Sequence, residues 1–191
     1  MAIYYWCVLG LWLLFIAVWV ISSLGAKASL RSHAWARGIV LRLTVVVLVL
    51  VMLRLPSVSH GFRHASLYLA NRNPALGIAG VALCALGIGL AIDARFYLGS
   101  NWGLPMTRKA NPELITSGPY AFVRHPIYTG ILLAMVGSAL AESITWALAL
   151  LIFGPYFIHS ARIEERTMAE AFPEQYPAYR AHTKMLIPFV F

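Results

Sequence analysis

Residues 118–130 read Gly-Pro-Tyr-Ala-Phe-Val-Arg-His-Pro-Ile-Tyr-Thr-Gly and form a polar segment at the start of a long apolar run. Pro126 suits the first turn of a helix, where the missing N–H of proline costs no hydrogen bond. Arg124 and His125 would therefore stand directly before a helix, whose free N–H groups and positive dipole end attract anions. The segment predicts either an anion-binding loop at a helix N-terminus or, more simply, a basic loop that sets membrane topology.

The rest of the chain is dominated by apolar residues. Of its 191 residues, 60% are hydrophobic and only 12% are charged, and the mean hydropathy is +0.74. Soluble domains of this size do not have that composition, so we predict an all-α integral membrane protein whose surroundings are the lipid bilayer. The formal net charge of +8 then belongs to loops that contact lipid headgroups, and it does not indicate nucleic-acid binding.

Five apolar runs predict five transmembrane helices, of which the last two are short. They cover residues 4–24, 39–55, 75–98, 127–140 and 144–158. Glu142 and Ser143 form a tight break between the last two runs, which predicts an antiparallel helical hairpin. The fifth helix should bend at Gly154-Pro155, continue into water beyond Ile158 and end before Pro173.

Small, ionisable and sulfur-containing residues within the spans have structural interpretations. The glycines expected to let neighbouring helices approach closely are Gly77, Gly80, Gly87 and Gly89. Asp93 and Arg95, near the end of the third span, form either an ion pair or the rim of a polar site. Cys7 and Cys84 lie inside apolar runs with no Cys or His at metal-ligand spacing, so no metal site is predicted.

The distribution of lysine and arginine predicts the orientation in the membrane. With five spans and a cytoplasmic C-terminus, the first loop, the connection of residues 99–124 and the C-terminal tail all face the cytoplasm. Most basic residues then lie inside, as the positive-inside rule requires. Residues 118–130 and the end of the fifth helix would share this face. The polar side chains gathered there are Tyr120, Arg124, His125, Tyr128, Arg162, Glu164 and Glu165.

The order of motifs resembles the isoprenylcysteine carboxyl methyltransferase family. Residues 114–130, Leu-Ile-Thr-Ser-Gly-Pro-Tyr-Ala-Phe-Val-Arg-His-Pro-Ile-Tyr-Thr-Gly, precede an apolar hairpin and then Glu164-Glu165. Phe172, Tyr176 and Tyr179 follow, ahead of a final Ile-Pro. The resemblance covers residues 99–188, and phospholipid N-methyltransferases and sterol Δ14-reductases resemble parts of the same pattern.

The resemblance implies a cytoplasmic S-adenosyl-L-methionine site between the loop before the fourth helix and the extension of the fifth. By motif, the cofactor contacts would be Leu114, Ile115, Tyr120, His125, Pro126 and Tyr128, and Glu164 would lie at the reaction centre. The chemistry agrees, because His125 at a helix N-terminus suits the cofactor's carboxylate and a tyrosine ring suits its sulfonium. Residues 1–191 are then a single domain, with three spans in residues 1–98 and the catalytic half in residues 99–191.

Two positions depart from the isoprenylcysteine enzymes. Those enzymes carry an arginine, a clamp for the substrate carboxylate, four residues before the first glutamate, where this chain has Ser160. Arg162 is the nearest arginine, about 200° further round a regular helix, and is the second catalytic candidate. Pro112 stands where those enzymes have a histidine at the cofactor.

We therefore expect methyl transfer to a small lipophilic acceptor, with a carboxylate, a thiol and an amine all open. A thiol or an amine would need a proton acceptor, for which Glu164 is the candidate. The alternatives are a phospholipid N-methyltransferase, an NADPH-dependent sterol-type reductase and a non-catalytic membrane scaffold. The sequence defines no oligomeric state.

Overall fold

The computed structural model describes residues 2–23, 73–101 and 113–191. Five α-helices occupy these ranges: α1 (Ala2–Ser23), α2 (Pro74–Leu98), α3 (Pro126–Ala141), α4 (Trp146–Ala171) and α5 (Gln175–His182). Short 3-10 turns follow α2 and precede α3, at Gly99–Asn101 and Gly118–Ala121. No β-strand occurs in the described ranges. The predicted second span, residues 39–55, and Pro112 lie outside them.

The all-α membrane architecture is confirmed. Three of the described helices, covering Ile3–Ser22, Pro74–Leu98 and Trp146–Ala171, are long and apolar enough to cross a membrane. The fourth predicted span corresponds to α3, which has 16 residues and is therefore about 24 Å long, short of the ~30 Å hydrocarbon core. The total of five transmembrane helices stays a prediction.

Glycines hold α2 and α3 in backbone contact. A Cβ added at Gly87 would stand 2.5 Å from both the Ala134 nitrogen and the Gly130 oxygen, a distance that real Cβ atoms do not reach. A Cβ at Gly80 would likewise meet the backbone of Gly137. Because residue numbers on α3 fall as those on α2 rise, the two helices are antiparallel. Small residues allow this close approach in membranes, where dispersion contacts drive association.

Two of the four predicted interface glycines do not serve this contact. Gly77 faces the ring of Tyr4 on α1 instead of a helix backbone. A Cβ at Gly89 would meet no heavy atom within 4 Å among the described residues. Gly89 therefore lies on the face of α2 turned away from α3, and close packing at Gly89 against other parts of the chain stays a prediction.

The N-terminal helix α1 packs across α2 and α3 through aromatic residues. The indole Nε1 of Trp12 donates a 3.1 Å hydrogen bond to the Ser138 hydroxyl, and its ring stacks on Trp146 at a centroid distance of 5.8 Å. Near the other end, Arg95 is buried and donates to the carbonyl oxygens of Ser22 and Gly99. Asp93 is exposed. Arg95 thus satisfies backbone oxygens where α1 and α2 end.

Helix α4 carries the chain from the membrane into the polar end of the molecule. Residues 142–145 join it to α3, and the two helices pack against each other. The helix runs through Pro155 without ending and reaches Ala171, so Phe172 caps it immediately before Pro173. Residues 159–171 therefore extend the helix beyond its apolar part, next to α5 and the C-terminal tail.

Candidate functional site

The segment before α3 is fixed by the C-terminal tail. The Arg124 N–H donates to the Lys184 oxygen at 2.8 Å, and the His125 N–H donates to the Met185 oxygen at 3.1 Å. Within the first turn of α3, the Thr129 hydroxyl donates to the Leu186 oxygen at 2.7 Å. The tail therefore runs beside residues 123–125 and holds the N-terminus of α3 in place.

Arg124 is committed to contacts within the protein. Its Nε donates a 2.7 Å hydrogen bond to Glu165 Oε1, and the two side chains are only 8% and 6% exposed. Its Nη1 donates to the oxygens of Thr183 and Arg180. The guanidinium group of Arg124 thus links the start of α3 to α4 and to the tail. Because these contacts use it, it does not face a free anion site.

His125 lies between two carboxylates of α4. Its Nδ1 is 3.5 Å from Glu164 Oε2, and its Nε2 is 3.6 Å from Glu165 Oε1. Burial lowers the pKa of His125, but the Glu164 and Glu165 carboxylates outweigh it, so the pKa is raised above 6.5. In the described part of the chain, the buried Nε2 atom has no hydrogen-bond partner. The two carboxylates therefore favour the protonated form of His125, and its ring lies inside the cluster.

Glu164 is also held by Tyr128. The Tyr128 hydroxyl donates a 2.6 Å hydrogen bond to Glu164 Oε1. The Tyr128 ring stacks on His125 at 5.6 Å and on Phe157 of α4 at 4.8 Å. One oxygen of Glu164 thus accepts a hydrogen bond from a phenol while the other faces the imidazole ring of His125, at the point where α3 and α4 meet.

Tyr120 forms the other aromatic wall of this region. It is buried, and its backbone oxygen accepts a 2.7 Å hydrogen bond from the Tyr179 hydroxyl. Burial raises the pKa of the Tyr120 hydroxyl well above its usual range, so the ring stays neutral. Ile115 packs against the cluster that contains Tyr120 and Tyr128, and Leu114 beside it is half-buried.

A glycine with a positive φ places Tyr120. Gly118 has a φ of 59°, and a Cβ there would collide with the ring of Tyr97. Both the backbone conformation and the close contact require glycine at this position.

The two remaining sequence candidates on α4 point in different directions. Ser160 is fully buried, and its Oγ has no hydrogen-bond partner among the described residues. It lies one turn before Glu164, on the same face of the helix. Arg162 is exposed and lines a groove with Arg166 and Arg180. Because α4 is helical throughout this region, Arg162 stands apart from the Tyr128–Glu164 pair.

The structure brings most of the sequence-derived candidates together. Tyr128 and His125 contact Glu164. Tyr120 and Ile115 pack in the same cluster as Tyr128, and Pro126 begins α3 next to His125, whereas Arg162 does not join them. Sequence reasoning missed the Arg124–Glu165 pair, Phe157 in the ring stack and the tail carbonyls. The adjacent Arg-His and Glu-Glu pairs were the available signal, because two neighbouring cations and two neighbouring acids can pair across two elements.

These features define a class of protein. It is a helical membrane protein in which a histidine, a tyrosine and a glutamate contact one another at the polar end of its last long helix. The sequence profile of the phospholipid methyltransferase family matches residues 76–175. That is more than half of the chain, and the matched part contains α2, α3 and α4. The chain belongs to the phospholipid methyltransferase family.

Curated relatives share about a third of the aligned residues. The cobalt-zinc-cadmium resistance protein CzcN of Cupriavidus metallidurans is 34% identical over 110 residues, covering 56% of this chain and 49% of that protein. Protein-S-isoprenylcysteine O-methyltransferase of Schizosaccharomyces pombe is 30% identical over 112 residues, covering 56% and 47%. The human protein-S-isoprenylcysteine O-methyltransferase is 29% identical over 119 residues, covering 60% and 42%.

These matches confirm the family resemblance found in the sequence. The chain spans about half the length of the curated relatives it matches. One of these relatives is named as a metal-resistance protein. A metal site would need several His, Cys, Asp or Glu side chains close together. Across residues 2–23, 73–101 and 113–191, no group of three or more His, Cys, Asp or Glu side chains is arranged to hold a metal ion.

Proposed function

We propose that this protein is a membrane methyltransferase that uses S-adenosyl-L-methionine to methylate a small lipophilic acceptor. The observation that carries the proposal is the cluster in which Glu164 contacts both Tyr128 and His125. Family membership supports the reaction class, and the apolar helices support a lipophilic acceptor.

The residues at this end of the helices fit the cofactor. His125, whose buried Nε2 has no hydrogen-bond partner among the described residues and lies 3.6 Å from Glu165 Oε1, would contact the amino-acid part of the cofactor. The rings of Tyr120 and Tyr128 suit a sulfonium cation. Leu114, Ile115 and Pro126 would supply apolar contacts beside them. When bound, S-adenosylmethionine supplies a methyl group on a positively charged sulfur.

Glu164 is proposed as the residue of the reaction centre. For a thiol or amine acceptor it would accept the proton, and for a carboxylate acceptor no base is needed. The hydrogen bond from Tyr128 fixes the orientation of the Glu164 carboxylate, which is the positioning that proton transfer requires. Arg162 is retained as a second catalytic candidate only for an anionic acceptor, because its side chain diverges from Glu164 on a regular helix.

The choice of acceptor depends on Ser160. A buried hydroxyl one turn from Glu164 can donate one hydrogen bond, whereas an arginine could hold a carboxylate with two. We therefore favour a neutral polar acceptor group over a prenylcysteine carboxylate. The site and the C-terminus are proposed to face the cytoplasm, where the cofactor is available.

Thermal unfolding of the detergent-solubilised protein, titrated with S-adenosylhomocysteine or with NADPH, tests the proposal. We expect saturable stabilisation by S-adenosylhomocysteine alone, and its loss in His125→Ala, with Glu174→Gln as a control for an exposed residue outside the cluster. Stabilisation by NADPH alone would assign the protein to the sterol-type reductases. If neither compound binds, the non-catalytic scaffold is the better interpretation.

A further inference from the structure

A basic groove lies beside the outer end of α4. It has a volume of about 420 Å³ and is lined by Arg162, Glu165, Arg166, Ala169, Arg180 and Met185. The lining thus contains three guanidinium groups and a single carboxylate. The other two lining residues, an alanine and a methionine, are apolar. Of the proposed site residues, Arg162 lines this groove, whereas the cofactor contacts and Glu164 do not. The positive charge of Arg166 and Arg180 therefore needs a separate explanation.

The one carboxylate in the groove is already neutralised. Glu165 Oε1 accepts the 2.7 Å hydrogen bond from Arg124, which lies outside the groove, and Glu165 Oε2 is 3.8 Å from Arg180 Nε. The side chains of Arg162 and Arg166 form no hydrogen bond or ion pair with another residue of the described ranges. The groove therefore presents excess positive charge and suits an anionic ligand with several oxygen acceptors.

The level of the groove along α4 matches the headgroup layer of a membrane. The apolar part of the helix ends at Ile158, and a rise of 1.5 Å per residue puts Arg162 about 6 Å and Arg166 about 12 Å further out. The headgroup region of each leaflet is about 5–8 Å thick. The long Arg166 side chain can reach back toward this layer, so the groove opens where lipid phosphates lie.

We propose that this groove binds the phosphodiester of an anionic lipid in the adjoining leaflet. Arginine recognises phosphate oxygens with its planar fork, and Arg162, Arg166 and Arg180 supply three such forks on two elements, α4 and the α5 region. No aromatic ring lines the groove in the described part of the chain, which argues against a nucleotide that would stack its base. A bound lipid would link α4 to α5 beside the Arg124–Glu165 pair.

Native mass spectrometry of the detergent-solubilised protein tests this site without requiring catalysis or the cofactor. Added phosphatidylglycerol should form a stoichiometric adduct, and phosphatidylcholine at the same concentration should not. Arg166→Gln should weaken phosphatidylglycerol binding about fivefold, the effect of one arginine near an anionic surface, and Arg166→Lys, which keeps the charge but loses the fork, should weaken it less. Lys184→Gln removes an exposed positive charge outside the groove and serves as the matched control.

Competition identifies the source of the phosphate. Glycerol 3-phosphate or NADPH at concentrations equal to the lipid should not displace phosphatidylglycerol. Displacement by either would overturn the lipid assignment in favour of a soluble phosphate compound. Equal binding of both lipids, or an equal loss in Lys184→Gln and Arg166→Gln, would overturn the site itself. Circular dichroism of each variant establishes that a loss of binding does not reflect unfolding.

Discussion

The hydroxyl of Tyr128 donates a 2.6 Å hydrogen bond to Glu164 Oε1 and thereby joins the first turn of α3 to the membrane-distal part of α4. The same tyrosine ring stacks on His125, whose Nδ1 lies 3.5 Å from the other oxygen of Glu164. Glu164 is thus oriented by two groups from one short segment. A carboxylate held in this way is suited to act on a substrate in a fixed direction.

Replacing Glu164 by glutamine tests its assignment to the reaction centre. Glutamine keeps the size of the side chain and an oxygen that can accept from Tyr128, but it removes the charge and any function as a base. We expect turnover to fall by ~10²-fold or more, the scale of losing a general base, with little change in affinity for S-adenosylhomocysteine. Glu174→Gln, at an exposed position, is the control. Full activity of Glu164→Gln would refute the assignment.

The Arg124–Glu165 pair should contribute mainly to stability. Because both side chains are buried, Arg124→Ala would leave the Glu165 carboxylate only its longer contacts with Arg180 and His125, and breaking a buried ion pair typically costs about 3–5 kcal/mol in free energy of unfolding. Unfolding in neutral detergent measures this difference. Arg162→Gln removes an exposed arginine from the same region, and a surface change of this kind should stay within about 0.5 kcal/mol. Similar losses in the two variants would contradict the structural role of Arg124.

The sequence predicted α1 to α4 from their composition and local signals, but it did not predict the short helix α5 in the tail. Pro126 marks the start of α3, and Pro173 follows the end of α4, as expected of residues that open or stop helices. Hydrophobicity alone could not say which glycines face α3, since Gly87 and Gly89 lie in the same apolar run. Nearly uniform apolar helices carry little information about their buried face.

The candidate site was predictable only as a set of residues. The motifs before α3 and at the end of α4 indicated the polar cluster. The structure adds which residues of the cluster pair with each other. Arg124 pairs with Glu165 across 41 positions, Tyr128 binds Glu164, and His125 lies between the two carboxylates. Which cation meets which acid depends on tertiary geometry, and a one-residue difference on a helix rotates a side chain by about 100°.

The raised pKa of His125 predicts a dependence of stability on pH. The folded protein stabilises the protonated imidazole, so this contribution is complete below the ordinary pKa of 6.5 and is lost as pH rises through the higher folded value. Melting temperatures recorded from pH 6 upward should therefore fall more steeply for the wild type than for His125→Gln. His182→Gln, at an exposed histidine, should follow the wild type. Parallel curves for wild type and His125→Gln would contradict the prediction.

The orientation of the hairpin can be tested by cysteine labelling. Helix α4 has 26 residues and is about 39 Å long, so Ile144 and Lys184 should lie on opposite sides of the membrane. Arg162, Arg166, Arg180 and Lys184 all lie toward the site end, which the positive-inside rule places in the cytoplasm. In a background with Cys7→Ala, an impermeant maleimide applied to intact cells should label Ile144→Cys but not Lys184→Cys. The reverse pattern would place the site outside.

The close contact between α2 and α3 gives a prediction with a matched control two residues away. In Gly87→Ala the new methyl group would lie 2.5 Å from backbone atoms of Gly130 and Ala134, and neither helix can relieve this by moving a side chain. The helices must separate, and we expect a loss of about 1–3 kcal/mol in stability, as for other overpacked sites. Gly89→Ala meets nothing within 4 Å among the described residues.

The effects of Gly87→Ala and Gly89→Ala on stability should differ in sign as well as in size. Alanine is the better helix former by about 1 kcal/mol, so Gly89→Ala should leave the melting temperature unchanged or raise it. Because α3 begins at Pro126, beside the proposed cofactor contacts, the shift in Gly87→Ala should also weaken S-adenosylhomocysteine binding, whereas Gly89→Ala should not. Melting curves with and without the ligand measure both effects. Equal behaviour of the two variants would show that the Gly87–Gly130 contact does not set the position of α3.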